Sequence, residues 1–171
     1  NADDAANRDR SLTINSGTAS VTFGGNVGVT QALADFDVTA ANIRLNGANY
    51  VVNDGPGGNQ VTMTGAVALG TNVTITTAGV NNNNLLFDGT VDADNAATAD
   101  RKLTLQAGTG TIKFNQSVGT LSALADLDMT GNMILNGADY VVSDGATAST
   151  LVWTGTVHLG NNVNVLTAGT A

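Results

Sequence analysis

The sequence predicts an all-β chain wound as a parallel β-helix, or β-solenoid, of about eight rungs. Three observations predict it: a repeat of about 90 residues, a shorter period of 18 to 27 residues inside it, and an alternation of apolar and polar residues. No apolar pattern with a helical period runs long enough for a helix. The abundance of Asn, Thr, Val and Gly favours strands joined by turns.

The long repeat covers almost the whole chain. Residues 12–79 reappear as residues 103–169 with an offset of 91, which becomes 90 after one deletion, and about half of the aligned residues are identical. We therefore divide the chain into a first repeat, residues 1–91, and a truncated second repeat, residues 92–171. They are expected to form one continuous solenoid from a longer array, because repetition builds length or surface and adds nothing to a unique active site.

The short period is carried by a theme of an apolar, a polar and a large apolar residue, followed by Gly and Val at alternate positions. The large apolar position falls at Phe23, Leu45, Met63, Phe87, Phe114, Leu135 and Trp153. Four steps fill one copy, so each step is predicted to be one coil, with these residues forming an internal ladder. At about 4.8 Å per rung the rod would be about 38 Å long. An inward glycine such as Gly65 predicts a tight bend where no Cβ fits.

Two tandem immunoglobulin-like β-sandwiches are the alternative fold. The Asn46-Gly47 pair between apolar runs is a hairpin signal, and a repeat of about 90 residues has the length of such a sandwich. The likeness between successive short steps argues against this fold, because sandwich strands need not resemble one another. The Asn-rich turns, residues 81–84 and the Asn161–Asn162 pair, either stack their amides between coils or cap exposed loops.

Composition excludes several classes of function. The net charge is −8, with only six Lys and Arg, so the basic surface that a nucleic acid requires is absent. The chain has no Cys, which excludes disulfides and thiolate chemistry and suits a bacterial protein outside the cell. No apolar run is long enough to insert into a membrane, and no signal peptide opens the sequence, so any export signal is expected upstream.

The phrases Val-Thr-Met-Thr-Gly-Ala-Val and Leu-Gly-Thr-Asn-Val-Thr-Ile-Thr, within residues 61–76, resemble the repetitive passenger regions of bacterial filamentous haemagglutinin-type and autotransporter adhesins. The resemblance implies an extracellular or surface-anchored β-helical stalk that serves adhesion, biofilm or coat formation. It implies other copies or neighbouring repeats as partners, with host or matrix glycans as further candidates. It implies no catalytic residue and no cofactor.

Two pairs of aspartates are the candidates for catalysis. Asp35 and Asp37, repeated as Asp126 and Asp128, lie two apart, which on a strand places both carboxylates on one face about 6.5 to 7 Å apart. That spacing suits an inverting glycosidase, and a β-helical carbohydrate-active enzyme is an alternative function. The preferred interpretation is a solvated strand face opposite the buried Phe36, because no nearby His, Lys or Arg recurs, and no enzymatic activity is predicted.

A calcium site is the remaining candidate. Asp88, Asp92 and Asp94 gather the hard oxygen ligands that Ca²⁺ accepts, and a calcium-rigidified binding module is a further alternative function. A solvated turn is preferred, because neither an EF-hand loop nor a calcium-binding nonapeptide is present. His158, the single histidine, faces outward by parity, so a His-based site is not predicted. Trp153 is expected to pack in the core.

Overall fold

The computed structural model describes residues 1–2, 10–53, 60–79, 82–94, 101–142 and 151–167. These parts form β-strands and contain no helix. The strands are β1 Ser11–Asn15, β2 Ser20–Phe23, β3 Asp35–Leu45, β4 Asn49–Val51, β5 Gln60–Leu69, β6 Val73–Thr76, β7 Asn84–Phe87, β8 Val91–Ala93, β9 Lys102–Phe114, β10 Asp126–Leu135, β11 Asp139–Val141, β12 Trp153–Thr154, β13 Val157–Leu159 and β14 Asn164–Leu166.

The described strands pair in parallel, with partners between 21 and 30 residues apart along the chain. The predicted β-solenoid is therefore confirmed, with about six turns. Parallel pairing also shows that the sandwich alternative was wrong, because immunoglobulin-like sheets are antiparallel. At about 4.8 Å per turn the stack is about 29 Å long.

Each turn has three faces, which we number in chain order. Face 1 contains β1, the N-terminal halves of β3 and β5, β7, the C-terminal halves of β9 and β10, and β13. Face 2 contains β2, the C-terminal halves of β3 and β5, β8, β11 and β14. Face 3 contains β4, β6, the N-terminal halves of β9 and β10, and β12.

The interior is filled by columns of apolar side chains, one above another in register. On face 1 one column contains Ile14, Val38, Met63, Phe87, Phe114, Leu135 and Leu159. On face 3 the column contains Val27, Tyr50, Ile75, Leu105, Met129 and Trp153. Most of these side chains are fully buried, and removing their apolar surface from water at roughly 25 cal/mol per Å² is the main force that holds the turns together.

The second repeat is turned by one face relative to the first. Residues 12–14 lie on face 1, whereas their copies, residues 103–105, lie on face 3. Likewise Tyr50 is on face 3 and its copy, Tyr140, is on face 2. One copy of the sequence therefore spans three turns and two further faces, rather than the four turns predicted. This difference accounts for about six turns where about eight were expected.

The predicted single ladder of large apolar residues was wrong for the same reason. Phe23 and Leu45 lie on face 2, Met63 to Leu135 lie on face 1, and Trp153 lies on face 3. The steps from Leu45 to Met63 and from Leu135 to Trp153 are only 18 residues long. A step of that length crosses two faces and stops short of a full turn.

The Asn46-Gly47 pair forms a corner between β3 and β4 rather than a hairpin. Neither residue has the positive φ that a two-residue hairpin of this type requires. Gly47 is instead needed for stacking, because a Cβ there would lie 2.2 Å from the carbonyl oxygen of Gly25 in the preceding turn. The hairpin signal and the stacking requirement thus select the same small residue.

The predicted bend at Gly65 is confirmed. Its φ is +133°, and an added Cβ would lie 1.9 Å from the carbonyl oxygen of Ala40. Val61 and Met63 before the bend and Val67 after it all face the core. The bend therefore passes the strand from face 1 to face 2 without changing which side chains point inward.

Asparagine side chains stack between turns at the corner that follows face 1. The Asn115 amide donates to Asp88 Oδ1 at 2.7 Å, and the Asn136 amide donates to Asn115 Oδ1 at 2.9 Å. Asn161 continues this ladder by donating to the Asn136 carbonyl oxygen at 3.4 Å. In the Asn-rich turns themselves, Asn83, Asn84 and Asn161 bond through their side chains to the backbone of neighbouring turns rather than to other amides, while Asn81 lies outside the described residues.

Candidate binding groove

The three aspartates that were the calcium candidates use their oxygens in separate contacts. Asp88 is exposed and accepts the hydrogen bond from Asn115 described above. Asp92 lies buried on the outer side of β8, and its Oδ1 accepts hydrogen bonds from the backbone N–H groups of Leu121 and Ser122 at 2.9 and 3.4 Å. Asp92 thus anchors a loop of the next turn.

Asp94 joins two arginines from different parts of the chain. Its Oδ2 contacts Nη2 of Arg44, and its Oδ1 accepts a hydrogen bond from Nε of Arg101 at 2.8 Å. The hydrogen bond from Arg101 is the main reason why the pKa of Asp94 lies below its usual value; partial burial opposes this, and Arg44 adds to it. Within the described ranges, no group of three His, Cys, Asp or Glu residues could hold a metal ion. The preferred solvated turn was wrong for Asp92, which is only 6% exposed, and calcium binding stays the alternative.

The two aspartate pairs of the glycosidase hypothesis lie on different faces. Asp35 and Asp37 are on face 1, whereas Asp126 and Asp128 are on face 3. Phe36, between the first pair, is buried as predicted. The expectation of a solvated face was wrong for Asp126, which is only 6% exposed.

The second pair has surroundings of its own. Burial raises the pKa of Asp126, and the charge of Asp128 adds to the rise, while Lys102 at 3.6 Å from Oδ2 opposes it. Oδ1 of Asp126 is buried without a hydrogen-bond partner in the described part of the chain. Asp128 Oδ1 accepts a hydrogen bond from the Val152 N–H at 2.9 Å. The repeated sequence therefore does not form a repeated site.

An open groove of about 420 Å³ crosses the outer side of face 2. Ala66 and Ala68 of the third turn form its floor, and Arg44 of the second turn and Asp92 of the fourth turn continue its lining along the solenoid axis. Leu121 stands at the rim and is 83% exposed. The groove exists because two alanine methyl groups lie where the neighbouring turns carry longer side chains.

Arg44 spans the third turn at one edge of the groove. Its Nε donates to Asn46 Oδ1 at 3.0 Å, while its Nη2 reaches Asp94 two turns further along the stack. Gly70 in the intervening turn makes this possible, because a Cβ there would lie 3.3 Å from Arg44 Nε and 1.8 Å from Asn46 Oδ1. The guanidinium group is thus held in one position with 44% of its side chain exposed.

The second repeat carries different side chains at the positions equivalent to the groove. Thr156 replaces Ala66, His158 replaces Ala68 and Ile134 replaces Arg44. His158 faces outward and is exposed, as predicted. Thr156 and His158 are larger than the alanines that they replace, so the alanine floor of the groove is specific to the first repeat.

Trp153 packs against the core, as predicted, but on face 3. Its ring lies edge-on to Tyr140, with centroids 6.3 Å apart, and its Nε1 donates to the carbonyl oxygen of Leu127 at 3.0 Å. The indole is therefore engaged in holding two turns together.

The groove residues were not predicted as a site from the sequence. The sequence did contain a signal for three of them. The two copies share apolar residues at the inward positions, whereas the outward residues Arg44, Ala66 and Ala68 differ in size or charge from their counterparts in the second copy. Leu121 offered no such signal, since its exposure depends on the loop that Asp92 anchors.

Comparison of the chain with protein-family models, with curated proteins and with solved structures finds no match. In the described residues, no helix is long and apolar enough to cross a membrane. The class of protein that the fold defines is the β-solenoid. The resemblance to haemagglutinin-type adhesins stays a prediction.

Proposed function

We propose that the chain is a structural repeat of an extracellular bacterial fibre or adhesin, acting as a stalk or filament segment in attachment, coat or biofilm formation. The observation that supports this most is the continuous pairing of strands, in which each turn bonds to the turn before it and to the turn after it. Columns of side chains fill the interior between these strands. Such a stack gains length without changing its cross-section.

The rotation between copies also supports a rod that is exposed on all sides. Equivalent surface residues, such as Arg44 on face 2 and Ile134 on face 1, point in different directions. A protein that packs into a layer through one face would keep equivalent residues on that face. The partners in this proposal are other copies or neighbouring repeats of the same protein and matrix or host glycans, and nucleic acid is not among them.

The proposal assigns no reaction and no cofactor to the chain. Its acidic surface, with a net charge of −8, suits a soluble surface structure, since like charges oppose unspecific association.

Immunogold electron microscopy tests this function directly. Antibodies raised against the recombinant chain are expected to label intact, unpermeabilised cells of the source organism and to decorate surface filaments or coat. Pre-absorption of the antibodies with the recombinant chain is the control. Labelling that appears only after permeabilisation would contradict the proposal.

A further inference from the structure

We propose that the groove on face 2 binds a neutral oligosaccharide chain that lies along the solenoid axis. The inference rests on the proposed surface function for the source of its ligand, because an exposed stalk meets the glycans of a matrix or a host. It assigns the contact to named residues of the second to fifth turns, chiefly Arg44, Ala66, Ala68, Asp92 and Leu121.

The shape of the groove suits an elongated ligand. Its lining begins at Thr22 in the first turn, continues through Arg44 and Ala68, and ends at Asp92 and the rim. The first four of these positions are in register on successive turns, so the groove runs across the strands. From Thr22 in the first turn to Leu121 at the rim in the fifth turn, the lining spans about 19 Å, at about 4.8 Å per turn. A tetrasaccharide is of comparable length.

The polar groups at the groove are already held in place. Asn46 and Asp94 fix the guanidinium group of Arg44, and two backbone N–H groups fix the carboxylate of Asp92. Binding therefore orders few side chains, which limits the entropy that a ligand must overcome. Planar charged groups of this kind hydrogen-bond to hydroxyl groups, while the alanine floor offers methyl groups to the C–H face of a sugar ring.

Charge favours a neutral ligand over an acidic one. The formal charges of Arg44 and Arg101 cancel those of Asp92 and Asp94, and the chain as a whole carries −8. A polyanion would find no net positive field at the groove and a repulsive one around it.

The fold also favours a glycan over an extended peptide. Peptides that add to sheets bind through free main-chain groups at a strand edge. At the groove the strands of face 2 already bond to turns on both sides, as β5 does to β3 and β8. Only side chains are available to a ligand, which suits hydroxyl groups.

The test is a titration of the ¹⁵N-labelled chain with linear tetrasaccharides of glucose, mannose and galactose, with tetragalacturonate as the acidic comparison. At least one neutral tetrasaccharide is expected to shift the amide signals around Ala66, Ala68 and Leu121. The variant Ala66→Thr/Ala68→His is expected to weaken this binding at least tenfold. The solenoid accommodates both introduced side chains at the equivalent positions, so the variant should fold.

The matched control is Thr156→Ala/His158→Ala, which changes the equivalent positions of the second repeat and should leave binding unchanged. The inference would be overturned if no neutral tetrasaccharide shifted these amide signals, or if tetragalacturonate shifted them more. It would also be overturned if the groove variant bound the tetrasaccharide as well as the unchanged chain does. So would displacement of the tetrasaccharide by a random hexapeptide mixture, which would make the groove a peptide site. None of these outcomes affects the immunogold result, so the two proposals fail separately.

Discussion

At the scale of single residues, glycines mark the places where two turns approach too closely for a side chain. Gly65 combines a φ of +133° with a carbonyl oxygen 1.9 Å from the position of a Cβ. Its copy, Gly155, has a φ of +129° and a similar contact at 2.0 Å from the carbonyl oxygen of Gly131. The same local requirement is therefore met on two different pairs of faces.

Replacing Gly65 by Ala should destabilise the chain strongly. We expect a loss of about 2–4 kcal/mol in the free energy of unfolding, from backbone strain together with the clash against Ala40. Urea unfolding followed by circular dichroism measures it. Gly24→Ala is the control, because Gly24 has no atom within 4 Å of an added Cβ and should change stability by less than about 0.5 kcal/mol. Equal losses in the two variants would refute the stacking role.

The two tyrosines make the fold sensitive to alkali. Tyr50 and Tyr140 are fully buried, and burial raises the pKa of each to about 12, opposed only in part by the backbone N–H groups of Gly47 and Gly137. The unfolded chain ionises near pH 10 and the folded chain does not, so stability should fall as pH rises from about 10 to 12. The loss is roughly 2–3 kcal/mol for each tyrosine.

Absorbance at 295 nm measures this titration cleanly, because the chain has only two tyrosines. Urea midpoints between pH 9 and 12 measure the stability. The Tyr50→Phe/Tyr140→Phe variant should lose most of this pH dependence. Tyrosines that ionise near pH 10 in the folded chain would contradict the burial argument.

At the scale of elements, the ladder at the corner after face 1 adds side-chain hydrogen bonds between turns that the β-strands already pair. Asn115 is central to the ladder that follows face 1, because it both donates to Asp88 and accepts from Asn136. Its side chain thus links three successive turns. The ladder crosses the boundary between the two repeats, from Asp88 to Asn115.

Asn115→Ala should therefore cost about 1–2 kcal/mol of stability, because two side-chain hydrogen bonds are lost and Asn136 loses a partner. Thermal and urea unfolding measure the loss. Asn162→Ala is the control, since the Asn162 side chain is exposed and outside this ladder. An Asn115 variant as stable as the control would show that the ladder only accompanies the stacking of strands.

At the scale of the whole molecule, the sequence repeat and the turn do not coincide. One copy covers three turns and two faces, which is one face short of four turns, so the next copy starts on another face. In a longer array, equivalent residues would return to the same face only in every third copy. Repeated surface features would then follow a helix around the rod.

Disulfide cross-linking tests the rotation, and the chain has no native cysteine to interfere. Thr74 and Thr104 are register partners on face 3, and neighbouring strands about 4.8 Å apart are within reach of a disulfide. Thr74→Cys/Thr104→Cys should therefore oxidise readily. Leu86→Cys/Thr104→Cys should not, although four turns per copy would make these two residues neighbours. A disulfide in the second variant alone would contradict the rotation and support four turns per copy.

The sequence by itself determined the all-β class, the parallel solenoid, the inward and outward faces of each strand, and the bend at Gly65. These are local properties, because alternation and the lack of a Cβ act within a few residues of chain. The tertiary structure decided which turn lies above which: it fixed about six turns, rotated the second repeat, buried Asp126 and opened the groove between Arg44 and Asp92. Those features depend on the summed lengths of all preceding faces and on contacts between residues 20 to 50 positions apart. A short sequence pattern cannot specify them, because it does not contain the lengths of the faces that precede it.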